Sequence, residues 1–188
     1  MRHRRKLVGG VAGLALLVLT GAALAHGVAF IKGTMGDDTL TGTPARDRIV
    51  ALAGNDTANA GEGNDGVHGN RGNDTLNGDG GNDRIFGGVG NDTLNGGDGN
   101  DLVRGSRGDD TVDGGAGNDN LWVGGGADVE RGGDGDDKLH ALARDRKVDQ
   151  LDCGPGNDTV WLNAAENDVH VNCETVKTVN VTGAGGDD

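Results

Sequence analysis

The sequence predicts an all-β protein, a right-handed parallel β-solenoid in which two nine-residue repeats make each coil. From Gly33 to His140 a unit of the form Gly-Gly-x-Gly-Asn-Asp-x-apolar-x recurs twelve times without insertion. A fixed repeat period indicates a stacked architecture. The glycines favour tight turns, and the x-apolar-x triplet alternates like a short strand with one buried side chain. Turn plus strand is half a coil.

The first 25 residues are expected to be a secretory signal peptide outside the fold. Residues 1–6 hold four basic side chains, residues 7–19 are apolar, and Ala23-Leu24-Ala25 has the small-x-small form of a cleavage site. An uncleaved membrane anchor is the alternative, because the apolar stretch approaches spanning length. Four glycines and the Ala-x-Ala ending favour cleavage. We therefore expect a secreted, extracellular protein without membrane contact, beginning with a short lead-in at residues 26–32.

The sixth place of the repeat is the candidate metal ligand of residues 33–140. It is Asp in all twelve copies: Asp38, Asp47, Asp56, Asp65, Asp74, Asp83, Asp92, Asp101, Asp110, Asp119, Asp128 and Asp137. Stacking should bring each Asp beside the Asp two repeats later, Asp56 beside Asp74 for example. Two columns of carboxylates result, one along each edge of the solenoid.

Carboxylates at such a short separation repel one another, and a hard dication with six to eight oxygen ligands would relieve the repulsion. Magnesium is less suitable, because it demands a tighter octahedron and gives up its water reluctantly. The columns contain no His or Cys, so zinc and copper lack their preferred ligands. The predicted cofactor is Ca²⁺, as several ions.

The cleanest copies, GGVGNDTLN at 87–95 and GGDGNDLVR at 96–104, resemble the haemolysin-type calcium-binding repeats of the RTX (repeats-in-toxin) family, which form a parallel β-roll. The resemblance extends to CGPGNDTVW at 153–161, which adds Asp158 to the expected ligands. It implies that each ion sits between two loops on one edge, held by glycine-region carbonyls and place-six aspartates. Copies two, three and eleven depart from the pattern at Ala45-Arg46, Ala51-Leu52 and Ala127 with Glu130. We therefore expect roughly six to ten ions.

Charge and core size also favour coupling between calcium and folding. The formal net charge of −13 becomes −17 once the leader's four basic residues are removed, which disfavours nucleic acid and anionic membranes as partners. Each repeat buries one aliphatic side chain, worth about 1.5–3 kcal/mol. Ordering nine residues costs about 1–2 kcal/mol each. Metal binding must supply the difference, and without calcium the chain is expected to be disordered.

The C-terminal region is expected to close the solenoid. Cys153 and Cys173 lie in an exported chain, which favours a disulfide worth about 3 kcal/mol. Residues 141–179 are interpreted as degraded repeats and a cap stapled by that disulfide, with Val169, Val171 and Val176 as inward residues. Residues 180–188 are expected to form a disordered tail.

The outward seventh and ninth places differ between the two faces of the solenoid. Odd repeats present Thr and Asn, whereas even repeats present basic and aromatic side chains, centred on Phe86, Arg104 and Trp122. The hypothesis is that the even face docks an acidic polymer, such as a cell-wall or extracellular polysaccharide. Alternatively the Thr and Asn ladders merely suit β structure, and the cations offset nearby carboxylates.

A non-enzymatic, calcium-binding protein with a structural or adhesive role is the function that the sequence favours. The alternatives are an adhesin or an ice- or polysaccharide-binding module, and a remnant of a larger RTX enzyme or toxin. Only residues 26–32 separate the leader from the first repeat, which leaves no room there for a catalytic domain. Paired aspartates also occur in glycosidases, but metal ligation explains their register more simply. No catalytic residue is predicted.

Overall fold

The computed structural model describes residues 15–17 and 28–181, which form strands, turns and loops without helix. The odd-numbered strands form the odd sheet: β1 (Ala15–Leu17), β3 (Asp38–Thr41), β5 (Thr57–Asn59), β7 (Thr75–Asn77), β9 (Thr93–Asp98), β11 (Thr111–Ala116), β13 (Val129–Asp134), β15 (Gln150–Asp152) and β17 (Val169–Val171). The even-numbered strands form the even sheet: β2 (Ala29–Lys32), β4 (Asp47–Ala53), β6 (Gly66–Arg71), β8 (Arg84–Val89), β10 (Leu102–Arg107), β12 (Asn120–Val123), β14 (Lys138–Ala141), β16 (Thr159–Asn163) and β18 (Thr175–Val179).

Strand register confirms the predicted parallel β-solenoid with two repeats per coil. In the odd sheet Thr57 pairs with Thr75, which pairs with Thr93. In the even sheet Val67 pairs with Ile85, which pairs with Val103. Partners within these repeats are two nonads apart, so every repeat lies directly above an equivalent one. The chain alternates between the two sheets, and each coil adds one strand to both.

The core consists of two files of place-eight side chains, one from each sheet, that pack together between the sheets. Eleven of the twelve repeats bury an apolar residue there, and none of these side chains is more than 1% exposed: Leu40, Ile49, Ala58, Val67, Leu76, Ile85, Leu94, Val103, Val112, Leu121 and Leu139. Places seven and nine point outward, as the alternating burial of Arg84, Ile85 and Phe86 shows. Repeat eleven has Glu130 at this place, and its side chain is fully buried between Val112 and Leu151.

Many strands are longer than the predicted three residues. Strand β10 continues through Ser106 and Arg107, which pair with Gly88 and Val89 one coil earlier. The first three places of the repeat can therefore extend the ladder as well as form the turn. The chain therefore reverses direction at places four and five, directly before the place-six Asp.

The solenoid continues beyond the twelve repeats, and the segment expected to be degraded repeats and a cap adds strands β15 to β18 to both sheets. The predicted disulfide between Cys153 and Cys173 is confirmed. The inward placement is wrong for Val169 and Val171, which are 55% and 49% exposed and flank the place-eight position. Val176 pairs with the buried Val160 and so has the inward register, but it is 43% exposed because it lies on β18, the last described strand.

The two ends of the chain are where the signal peptide and the C-terminal tail are expected. Within the predicted signal peptide, strand β1 pairs with β3, and the rest of residues 1–25 lies outside the described residues, as does the tail from 182 onward. In the described ranges no helix has the length and apolar character needed to cross a membrane.

Candidate metal centre

The place-six aspartates form two buried columns, one at the start of the strands of each sheet. All twelve predicted aspartates of residues 33–140 are 4% exposed or less, and Asp158 is fully buried. Within a column they are joined through the backbone. The amide of Asp56 donates to Oδ1 of Asp74, and the amide of Asp74 donates to Oδ1 of Asp92, both at 2.8 Å. The predicted neighbours Asp56 and Asp74, and likewise Asp65 and Asp83, are therefore in contact.

The second oxygen of most of these carboxylates has no hydrogen-bond partner in the described part of the chain. This buried Oδ2 atom is unpartnered in Asp56, Asp65, Asp74, Asp83, Asp92, Asp101, Asp110, Asp119, Asp128, Asp137, Asp158 and Asp168. A buried polar atom without a partner is costly, more so when it is charged. Each column therefore presents a row of oxygen atoms that lack a partner and would gain most from a cation.

Close packing explains why glycine occupies the first place of the repeat. A Cβ on Gly96 would lie 2.3 Å from the carbonyl oxygen of Gly114 and 2.4 Å from Oδ2 of Asp101. Only a residue without a side chain lets the carboxylate and the next coil's carbonyl approach this closely. The first-place glycine thus creates the space in which backbone and carboxylate oxygens meet.

The fourth-place glycine serves the turn itself. Gly99 has a φ of +135°, and a Cβ there would lie 1.8 Å from the carbonyl oxygen of Gly81. Fifth-place asparagines then lock the successive turns together, because the amide of Asn91 donates to Oδ1 of Asn73 at 2.8 Å. Asn at this place therefore holds the loops in register.

Electrostatics in the columns oppose ionisation when no cation is bound. Burial raises the pKa of Asp92 to about 7, assisted by the charge of Asp74 and opposed by a backbone hydrogen bond from Asp74. Burial likewise raises the pKa of Asp83 and Asp110 to about 7. A cation in the column would supply the opposite charge that these carboxylates lack.

The donor set fits calcium, as predicted. Every candidate ligand is a carboxylate or carbonyl oxygen, which Ca²⁺ prefers and which offers zinc no nitrogen or sulfur. Among the described residues no group of three His, Cys, Asp or Glu side chains is placed to hold an ion alone. The resemblance implies that backbone carbonyls of the glycine turns complete the coordination.

The first two aspartates differ from the rest. Oδ2 of Asp38 accepts hydrogen bonds from the backbone amide and from Oγ1 of Thr34, and Oδ2 of Asp47 accepts one from the amide of Thr43. Thr stands at the second place of these two repeats, where the consensus has Gly. Protein donors therefore already satisfy the oxygens that are unpartnered further along the solenoid.

Departures from the consensus in repeats three and eleven leave the column geometry intact. Asp56 and Asp128 both keep an unpartnered Oδ2. Oδ1 of Asp56 accepts the backbone amide of Asp38, and Oδ1 of Asp128 accepts that of Asp110, each from the preceding coil. The position of the Asp is therefore set by stacking more than by its own repeat's glycines.

Three further acidic residues continue the columns and are missed by the nine-residue pattern. Oδ1 of Asp149 accepts the amide of Asp128, Oδ1 of Asp168 accepts the amide of Asp149, and Oε2 of Glu174 accepts the amide of Asp158. The spacing from Asp128 to Asp149 is 21 residues instead of 18. A search for Asp-x-apolar-x with insertions permitted would have found Asp149, which precedes Leu151 by two residues.

Comparison with known protein families gives one match. The family model described as RTX calcium-binding nonapeptide repeat (4 copies) matches residues 32–67, 67–94 and 95–130, which together span more than half of the 188 residues. No curated protein matches the chain significantly. The matched segments cover most of the twelve repeats, and the repeats and the solenoid are not catalytic in themselves.

Proposed function

This chain belongs to the RTX calcium-binding nonapeptide repeat family, and from that premise we propose that it is an exported, non-enzymatic scaffold that folds when calcium fills its columns. The observation that carries the proposal is the row of buried, unpartnered Oδ2 atoms. The chain is a calcium-binding β-roll protein by its repeats and fold. Dependence of the whole fold on the metal follows from the columns' electrostatics and the thin core.

The ligand set consists of the place-six carboxylates, chiefly those from Asp56 onward, with carbonyls of the facing turns. Each ion would lie between consecutive members of one column, such as Asp74 and Asp92 or Asp83 and Asp101. Calcium supplies positive charge there, and the protein supplies fixed oxygens in a dry turn. The sites at Asp38 and Asp47 bind least tightly, because Thr34 and Thr43 already occupy their oxygens.

Export is supported by the basic, apolar and Ala-x-Ala segments of residues 1–25 and by a disulfide, which persists in oxidising compartments. Extracellular calcium is plentiful compared with the cytosolic level, so the chain would fold after it leaves the cell. The role is then structural or adhesive, with cell-wall or extracellular polysaccharide as the partner.

Isothermal titration of the metal-free protein with CaCl₂ tests the ligand assignment. The expected result is cooperative uptake of several ions with MgCl₂ much less effective. Uptake of a single ion, or equal affinity for both metals, would contradict the proposal. Export is tested separately by mass spectrometry of protein from the culture medium, where loss of residues 1–25 is expected and an intact N-terminus would count against it.

A further inference from the structure

The outer face of the even sheet carries an exposed row of cations, here named the basic strip. Its members are Lys32, Arg48, Arg84, Arg104, Lys138 and Lys177, all of them exposed. Strand register places them along one face on six of the nine even strands, at the seventh or ninth place of their repeats, whereas β6, β12 and β16 have no cation at these places. Neither place holds Asp or Glu in any of the even strands β2 to β18.

The opposite face provides an internal comparison. Outward places of the odd strands β3 to β17 hold mainly Thr and Asn, with Arg131 as their one cation and Asp113 and Asp152 as their carboxylates. The whole chain has a formal net charge of −13. A face whose outward places hold cations and no carboxylate is therefore a local feature of so acidic a molecule, and it complements a negatively charged partner.

Aromatic rings on the same face are stacked on one another. Trp122 and His140 lie 3.8 Å apart between centroids with planes 2° from parallel, and His140 and Trp161 lie 4.5 Å apart, also at 2°. His68 and Phe86 form a similar pair at 4.9 Å and 7°. Nζ of Lys177 lies 4.5 Å from the centre of the Trp161 ring.

This stacking corrects the expectation that Trp122 is an exposed docking anchor. The stacked residues are strand partners one coil apart, so their ring planes lie across the solenoid axis and their faces cover each other. Trp122 and Trp161 are half-buried and His140 is 8% exposed, so little ring face is open to solvent. A ligand that needs bare ring faces, such as the bases of a single-stranded nucleic acid, is therefore disfavoured.

We propose that the basic strip binds a linear polysaccharide that carries carboxylates at regular intervals, laid parallel to the solenoid axis. Nine even strands at a spacing of about 4.8 Å give the strip a length of roughly 38 Å. Guanidinium groups suit carboxylates, whereas sugar hydroxyls and carboxylates can approach ring edges. One exposed ion contact is weak, so a polymer that meets several cations at once is the partner that the face fits.

The inference rests on the proposed function, because it names the class of polysaccharide partner and because the strip forms only when the calcium-loaded roll is folded. Substitution must therefore spare both the columns and the ring stack. Arg48, Arg84 and Lys138 meet this condition, because they occupy the seventh place, whereas the stacked rings occupy the ninth. Arg71, Arg131 and Lys147 are exposed cations outside the strip and give a control with the same change of net charge.

Binding of a fluorescent hyaluronan oligosaccharide of about ten sugars to the calcium-loaded protein tests the inference. The triple variant Arg48→Ser, Arg84→Ser, Lys138→Ser should bind at least about tenfold more weakly. The control variant Arg71→Ser, Arg131→Ser, Lys147→Ser should bind within about twofold of the parent, and added salt should weaken all binding. Circular dichroism in calcium must show the parental β signal for each variant.

Three results would overturn the proposal while leaving calcium-dependent folding untouched. The first is equal loss of binding in both variants, which would indicate net charge instead of the strip. The second is equal binding of neutral dextran, and the third is preference for oligothymidylate over hyaluronan. Loss of the β signal in the parent protein when calcium is present would instead contradict the proposed function.

Discussion

The backbone amide of Asp92 donates a 2.8 Å hydrogen bond to Oδ1 of Asp110, one coil further along the solenoid. Oδ2 of the same Asp110 is buried and has no partner in the described part of the chain. One oxygen of the carboxylate therefore fixes the stacking of coils, and the other is left for a cation. Fold and metal binding depend on the same residues, which is why we expect them to be inseparable.

Replacing a central aspartate should weaken calcium-driven folding more than replacing one near the N-terminus. Asp92→Asn removes a charge from an unpartnered Oδ2, whereas Asp47→Asn alters an oxygen that already accepts from Thr43. The calcium concentration at the folding midpoint should rise severalfold for Asp92→Asn and less for Asp47→Asn. Calcium titrations followed by circular dichroism measure both midpoints, and equal or reversed shifts would contradict the assignment.

Mild acid should partly replace calcium. Burial raises the pKa of Asp92, Asp110 and Asp128 to about 7 in the metal-free fold, against about 3.9 in an unfolded chain. The folded state then binds protons more tightly, so their stabilising effect is complete below about pH 4 and is lost as pH rises toward 7. In EDTA, β structure should increase as pH falls from 7.5 to about 5. An unchanged or decreasing β signal would show that the columns do not oppose folding.

Removing the buried acid from the core should stabilise the protein. Glu130 is fully buried, both of its carboxylate oxygens lack partners in the described chain, and burial raises its pKa well above the usual range. Glu130→Leu would continue the apolar file between Val112 and Leu151. The free energy of unfolding in calcium should rise by about 1–3 kcal/mol. Thermal unfolding measures the change, and a lower Tm than the parent's would assign Glu130 a stabilising contact.

Gly96→Ala should impair folding far more than the same change at Gly66. A Cβ at Gly96 would clash with the Gly114 carbonyl and with Oδ2 of Asp101, whereas a Cβ at Gly66 meets nothing within 4 Å. The calcium midpoint should therefore rise for Gly96→Ala and stay near the parental value for Gly66→Ala. If the two variants titrate alike, close packing at the first place does not control the site.

The nine-residue period determines most of the fold that the sequence could predict. It places Asp56 beside Asp74 and buries Leu76 and Leu94, because stacking at a constant period leaves one register for each residue. Prediction fails where the period breaks. Residues between Asp137 and Asp158 contain an insertion, so the pattern does not identify Asp149 as a column member. Asp168 lies 19 residues beyond Asp149 and Glu174 lies 16 residues beyond Asp158, so neither follows the 18-residue spacing.

Side-chain contacts within the periodic region were also beyond the pattern. The repeat puts Trp122, His140 and Trp161 in one outward column, but it does not specify that their rings stack face to face. Stacking depends on rotamers and on the coil spacing, which are properties of the assembled solenoid. Likewise, Thr34 looks like a simple departure from glycine until its hydrogen bonds to Asp38 are known.

Far-UV circular dichroism of residues 26–188, recorded in EDTA and then during addition of CaCl₂ at neutral pH, tests the dependence of this fold on calcium most directly. The buried carboxylate oxygens of the two columns predict a coil-like spectrum in EDTA and a cooperative gain of β signal with calcium, with MgCl₂ much less effective. A chelated protein that already has its full β signal at neutral pH, unchanged by calcium, would contradict coupled folding and binding.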